Sequence, residues 1–243
     1  MSGLIAVPRR LIPFLLVSAV IATPVVAMAT GAATRPKLSI QERLRLAFRA
    51  ATGVEGMLRE NVDGEIITTI PLRIINAPFG PILLTKREAK GACHGCGGAI
   101  GVYYLREKGH NIKVAGSWPQ AIKGWGWGTA PDWHVTNKFT TFPAIYSEGG
   151  FTGQGITCGG GRITELRPEG PVNSDTIWTY FSNTGTIIDD RISATKVLEG
   201  KIINIRRNTS FEVRVSGTSS FIEKYVWRGK SFVRASAESK LLC

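Results

Sequence analysis

From Glu65 almost to the C-terminus the chain is a succession of short β-branched and aromatic runs, each cut by Gly, Pro or Asn, with no helical pattern between them. A parallel sheet needs a crossover of a dozen or more residues between strands, so runs this closely spaced must pair through hairpins. The expected fold class is mainly β: an antiparallel sandwich or barrel-like domain. Three hairpin segments stand out. Val102–Leu105 and Ile112–Val114 flank a turn at Lys108–Gly109, Tyr225–Trp227 and Phe232–Val233 flank Arg228–Gly229, and Phe211–Val215 alternates apolar with charged residues, so one face is buried and the other wet.

One helix is expected, ahead of the strands. Ser39-Ile40-Gln41-Glu42 has the S-x-x-E form of a capping box, in which the serine oxygen accepts from the N3 amide and the glutamate reaches back to the cap amide. Leu44, Ala47, Phe48 and Ala51 then recur at helical steps, with Gly53 or Gly56 as the stop.

The N-terminus has the three parts of a secretory signal: Arg9 and Arg10, an apolar run from Leu11, and the small-residue triplet Ala27-Met28-Ala29. Pro13, Pro24 and the triplet favour cleavage over a retained anchor. Residues 1–29 are therefore assigned to a signal peptide, Thr30 to Lys37 to a leader, and 30–243 to a single exported β-rich domain of roughly two hundred residues, long enough for a real core. A sub-boundary is marked at 167–171, where two prolines and a glycine interrupt the strands. The expected location is periplasmic or secreted, with no transmembrane segment once the signal is removed.

The formal charge is +12, of which Arg9 and Arg10 contribute two. Such a field favours anionic partners, which outside the cytoplasm are acidic glycans, lipid head groups or acidic proteins rather than nucleic acid. For the same reason a basic lysozyme-like enzyme is disfavoured as a partner.

The four cysteines are Cys93, Cys96, Cys158 and Cys243. Export makes disulfides the default. Closing a four-residue Cys93–Cys96 loop is worth ~1.9 kcal/mol in the chain-entropy expression, against ~4.3 kcal/mol for a loop of about 66 residues closed by Cys158, so a bridge from the CxxC to Cys158 is favoured, with the remaining CxxC thiol paired to Cys243 or free. A thioredoxin-type site is not expected, because the residues after Cys96 read as a strand and no helix N-terminus lowers a thiol pKa. Haem attachment fails because Gly97, not His, follows Cys96, and a single CxxC half-site argues against zinc. Neither cofactor nor metal is expected.

Two enzymatic alternatives stand beside this. A cysteine hydrolase would use Cys158 as nucleophile, His134 as base and Asp132 or Glu148 to orient the imidazole, although nothing in the spacing fixes those partners. Glu165 and Glu169 form a carboxylate pair of the kind a glycosidase uses, yet surface solvation is the commoner fate of such residues.

The unusual feature is aromatic. Four of the six tryptophans, Trp118, Trp125, Trp127 and Trp133, fall in one Gly- and Pro-rich stretch. On an extended chain Trp125 and Trp127 share a face about 6.8 Å apart, a platform for stacking on a sugar, peptide or cation. Lys123 and Trp133 would add charge and a further wall, and the flanking glycines would give a ligand access to the backbone. The functional expectation is a non-catalytic, envelope-associated protein that binds an anionic glycan, lipid or protein through this segment and its basic surface. A purely structural envelope protein is the remaining alternative.

Overall fold

The computed structural model describes residues 38–186, 195–241 and 243. The signal-peptide and leader assignments lie outside the described residues. Helix α1 (Ile40–Thr52) is followed by β1 (Leu58–Val62), β2 (Glu65–Ala77), β3 (Gly80–Lys90), β4 (Ala99–Lys108), β5 (Asn111–Lys123), β6 (Asp132–Thr136) and β7 (Ala144–Gly153). Then come β8 (Ile156–Arg167), β9 (Gly170–Asn173), β10 (Ile177–Ser182), β11 (Val197–Arg206), β12 (Ser210–Gly217), β13 (Phe221–Arg228) and β14 (Ser231–Arg234). Among the described residues the fold is mainly β, as the turn spacing required, with a single α-helix.

The helix begins where its cap dictates. Ser39 Oγ accepts from the Glu42 amide, the Glu42 carboxylate accepts from the Ser39 amide at 3.0 Å, and Gly53 ends the helix at φ +81°. Its apolar face buries Ala47 and Phe48 against Leu83, Tyr103 and Leu105 of the first sheet.

That sheet is a five-stranded antiparallel meander, β1-β2-β3-β4-β5. The second sheet runs β14-β13-β12-β11-β10-β8-β7-β6, with β9 beside β8, and curls into a half-barrel. The first sheet buries Ile82, Leu84, Ile100, Val102 and Ile122 against Ile145 of β7 and Leu166 of β8, so α1, the meander and the second sheet form successive layers. The stretch marked as a sub-boundary is the tight turn of the β8–β9 hairpin, where Arg167 pairs with Gly170.

A separate core belongs to the curled sheet. Phe211 and Tyr225 stack with centroids 4.8 Å apart, Phe139 and Phe232 meet Phe211 edge-on, and the Tyr225 hydroxyl donates to the Thr176 carbonyl at 3.1 Å. Burial first, then the charge of Glu223, pushes the Tyr225 phenol up to about 12. The C-terminal tail completes this core. Leu241 is fully buried in it, and the buried Glu223 carboxylate accepts from Ser239 Oγ at 2.8 Å and from the Lys240 amide at 2.6 Å.

Candidate functional site

Two glycine-rich loops meet beside the end of the β7–β8 hairpin, and their backbones are hydrogen-bonded together. The turn Cys93-His94-Gly95-Cys96 closes on itself through the Cys96 amide to the Cys93 carbonyl at 3.0 Å. The Trp127 amide donates to the same Cys93 carbonyl at 3.2 Å, and the Gly128 amide donates to the Cys96 carbonyl at 2.6 Å. Gly98 and Thr129, and Gly124 and Gly98, are joined likewise at 2.9 and 2.7 Å. Such an interlock demands missing side chains. A Cβ on Gly126 would meet the His94 carbonyl oxygen, and one on Gly128 the Ala89 carbonyl oxygen. The glycines around the tryptophans thus serve loop-on-loop contact, a different role from the ligand access expected of them.

This packing also overturns the expected Trp125/Trp127 platform. Residues 124–131 form bends and a turn between β5 and β6, with Trp127 at φ +55°, so the strand alternation that would put the two indoles on one face is absent. Trp125 packs on Trp178 at 5.4 Å, lies against Gly149, and has the Arg162 guanidinium 5.7 Å from its ring centre. Trp127 turns outward, 67% exposed, with its ring 4.9 Å from that of His94. Trp133 and Trp118 are half-buried against the core between the sheets, and Lys123 is exposed at the end of β5.

What the loops do create is a groove. Trp127 and His94 form one wall, Tyr180 and Phe151 contribute further aromatic surface, and the paired Gly150 and Gly159 leave the floor bare of side chains. Thr152 and Thr157 also line it, their hydroxyls 3.0 Å apart. The cavity measures ≈ 460 Å³. Trp125 supports it from behind: its partner Trp178 lies 6.4 Å from Phe151, so the rings run in series towards the groove. Among the described residues no lysine, arginine or carboxylate lines the groove. Flat aromatic faces beside paired hydroxyls can both stack on a ligand and hydrogen-bond to it.

Of the expected ligand residues, Trp127 alone lines this groove. His94, Phe151, Tyr180, Thr152 and Thr157 were not anticipated. The repeated glycines of Gly149-Gly150-Phe151 and Cys158-Gly159-Gly160 were the available signal, since two glycines side by side on neighbouring strands leave a bare patch.

The disulfide pairing differs from the expected one. Cys93 is bonded to Cys96 with Cα atoms 5.0 Å apart, and Cys158 to Cys243 at 6.0 Å. Backbone hydrogen bonds tie the CxxC turn to the tryptophan loop, while the tail that buries Leu241 carries Cys243 to β8, its sulfur 3.6 Å from the Tyr180 carbonyl oxygen.

The hydrolase set does not come together. Cys158 is 2% exposed and its sulfur is bonded. His134 sits opposite Tyr146, whereas Cys158 is opposite Phe151, roughly 17 Å further along β7. Asp132 and Glu148 are cross-strand neighbours on β6 and β7. Glu165 is buried in an ion pair with Arg167 and faces the Phe142 amide, so it holds loop structure. Among the described residues no group of three or more His, Cys, Asp or Glu gathers to hold a metal ion, and no helix is long and apolar enough to cross a membrane.

Comparison with protein-family models, with curated proteins and with solved structures found no match.

Proposed function

We propose that this is an exported, non-catalytic binding protein that holds an acidic envelope glycan by stacking a sugar ring against Trp127. The reading rests above all on the exposure of Trp127: an indole that is 67% exposed on a turn locked by backbone hydrogen bonds is a preorganised contact, and its alternative, core packing, is the fate of Trp125 instead. The bare Gly150/Gly159 floor lets a ring slide beneath it, and the Thr152 and Thr157 hydroxyls supply hydrogen bonds to sugar hydroxyls. The charge of +12 acts at longer range, raising the encounter rate with an anionic surface, while the groove itself supplies uncharged contacts. Export rests on the signal-like N-terminus and is compatible with two disulfides.

Titration with oligosaccharides cut from an acidic envelope polysaccharide, followed by tryptophan fluorescence, tests the proposal. A saturable change that disappears in Trp127→Phe emission difference spectra supports it. A flat response across the oligosaccharides overturns it.

A further inference from the structure

The two disulfides stand in contrasting surroundings. Cys158 is 2% exposed and its bridge closes a sequence separation of 85, whereas Cys93 and Cys96 are both exposed and separated by 3. The small loop also has little to lose on opening. Its closure constrains the unfolded chain far less than that of the long one, and hydrogen bonds independent of sulfur hold its shape: Cys96 amide to Cys93 carbonyl, Trp127 amide to Cys93 carbonyl, Gly128 amide to Cys96 carbonyl. Reduction would leave the two thiols side by side, ready to close again.

The turn also lies between two cavities. His94 lines the aromatic groove, while Cys96 borders a second cavity of ≈ 180 Å³ that includes Val62, Ile67, Glu65, Arg87 and Glu88. The Glu88 carboxylate is engaged by Lys86 at 3.0 Å, and Glu65 and Arg87 also line the cavity. A chain segment carrying a thiol therefore has a lined recess leading to Cys96.

We infer that Cys93–Cys96 is a thiol–disulfide exchange site whose partner is a protein dithiol, and that Cys158–Cys243 is the permanent structural bridge. A thiolate of the partner attacks the Cys96 sulfur; the S–S bond breaks and its electron pair goes to the Cys93 sulfur, which takes a proton from water. The partner's second thiolate then attacks its own sulfur in the mixed disulfide, releasing Cys96, which is protonated in turn. One disulfide and one dithiol give one dithiol and one disulfide, two electrons passing from the partner to the CxxC. Because no helix N-terminus follows Cys96, this is exchange on a hydrogen-bonded turn and differs from the thioredoxin arrangement. The inference does not rest on glycan binding.

The test uses the oxidised mature protein in dilute dithiothreitol, with timed alkylation, peptide mapping and circular dichroism. Cys93 and Cys96 are expected to be alkylated about tenfold or more faster than Cys158 and Cys243, with the spectrum unchanged. Returned to a glutathione/glutathione-disulfide buffer, the reduced pair should reclose. The variant Cys93→Ser should form a mixed disulfide with glutathione disulfide at Cys96. Reduction of both bridges together, loss of the folded spectrum on opening Cys93–Cys96, or a Cys96 thiol inert to glutathione disulfide would each overturn the inference.

Discussion

Removing each disulfide separately should destabilise the protein by very different amounts. In the chain-entropy expression a bridge closing a sequence separation of 85 contributes ~4.6 kcal/mol, and one closing a four-residue loop ~1.9 kcal/mol. The double variant Cys158→Ala/Cys243→Ala is therefore expected to lose about 2.7 kcal/mol more than Cys93→Ala/Cys96→Ala, roughly a hundredfold in the unfolding constant. The lost packing of the buried Cys158 sulfur adds to that difference, while Leu241 and the hydrogen bonds to Glu223 keep the tail docked. Guanidinium unfolding followed by circular dichroism, with intact-mass checks for free thiols, reads the two losses. Equal losses, a larger loss for the CxxC variant, or a non-reducing peptide map linking Cys158 to the CxxC would refute the pairing on which the reasoning stands.

Gly126→Ala places a Cβ against the His94 carbonyl oxygen and should cost about 1–3 kcal/mol in thermal unfolding, whereas Gly95→Ala, with open space around it, should stay within about 0.5 kcal/mol. High pH should unfold the protein through its buried phenols. Burial, then Glu148, pushes Tyr146 up to about 12, and burial, then Glu223, does the same to Tyr225, while unfolded tyrosine releases its proton near 10.0. Between those values the unfolded chain binds fewer protons, so stability falls as pH rises from about 10 to about 12; Tyr225→Phe should flatten that fall, and an unaltered slope in urea titrations across this window would count against it. Sequencing of the exported product should begin at or near Thr30, and retention of residues 1–29 would remove the export reading.

Much of the fold was legible because it is local. The capping box and the hairpins are set by a few adjacent residues, and β4–β5 and β13–β14 form where the turns at Gly109 and Gly229 put them. The groove was not legible, because it is assembled from segments far apart in the chain: His94 from one loop, Trp127 from another, Phe151 and Tyr180 from two strands. Alternation misled at Trp125 and Trp127 because Gly126 between them, with Gly124 and Gly128 on either side, permits a turn as readily as a strand. The expected bridge from the CxxC to Cys158 and the observed pairing differ because closure entropy ignores where the fold brings each cysteine. Loop length alone selects neither observed bridge, since Cys243 paired with Cys93 or Cys96 would close a longer loop than Cys158 does; the hydrogen-bonded CxxC turn and the docked C-terminal tail decide the pairing.

The most direct measurement of the central claim is calorimetric titration of an acidic envelope oligosaccharide into wild type and Trp127→Ala, at low salt and near 1 M. Trp127 is exposed, so its removal should change the melting temperature little, yet weaken binding by about tenfold or more at both salt levels. Wild-type affinity should fall only modestly at high salt, where the Debye length is about 3 Å, because among the described residues no lysine, arginine or carboxylate lines the groove. Binding that is abolished by salt, or that Trp127→Ala retains at full strength, would contradict the account and move recognition from the groove to the basic surface.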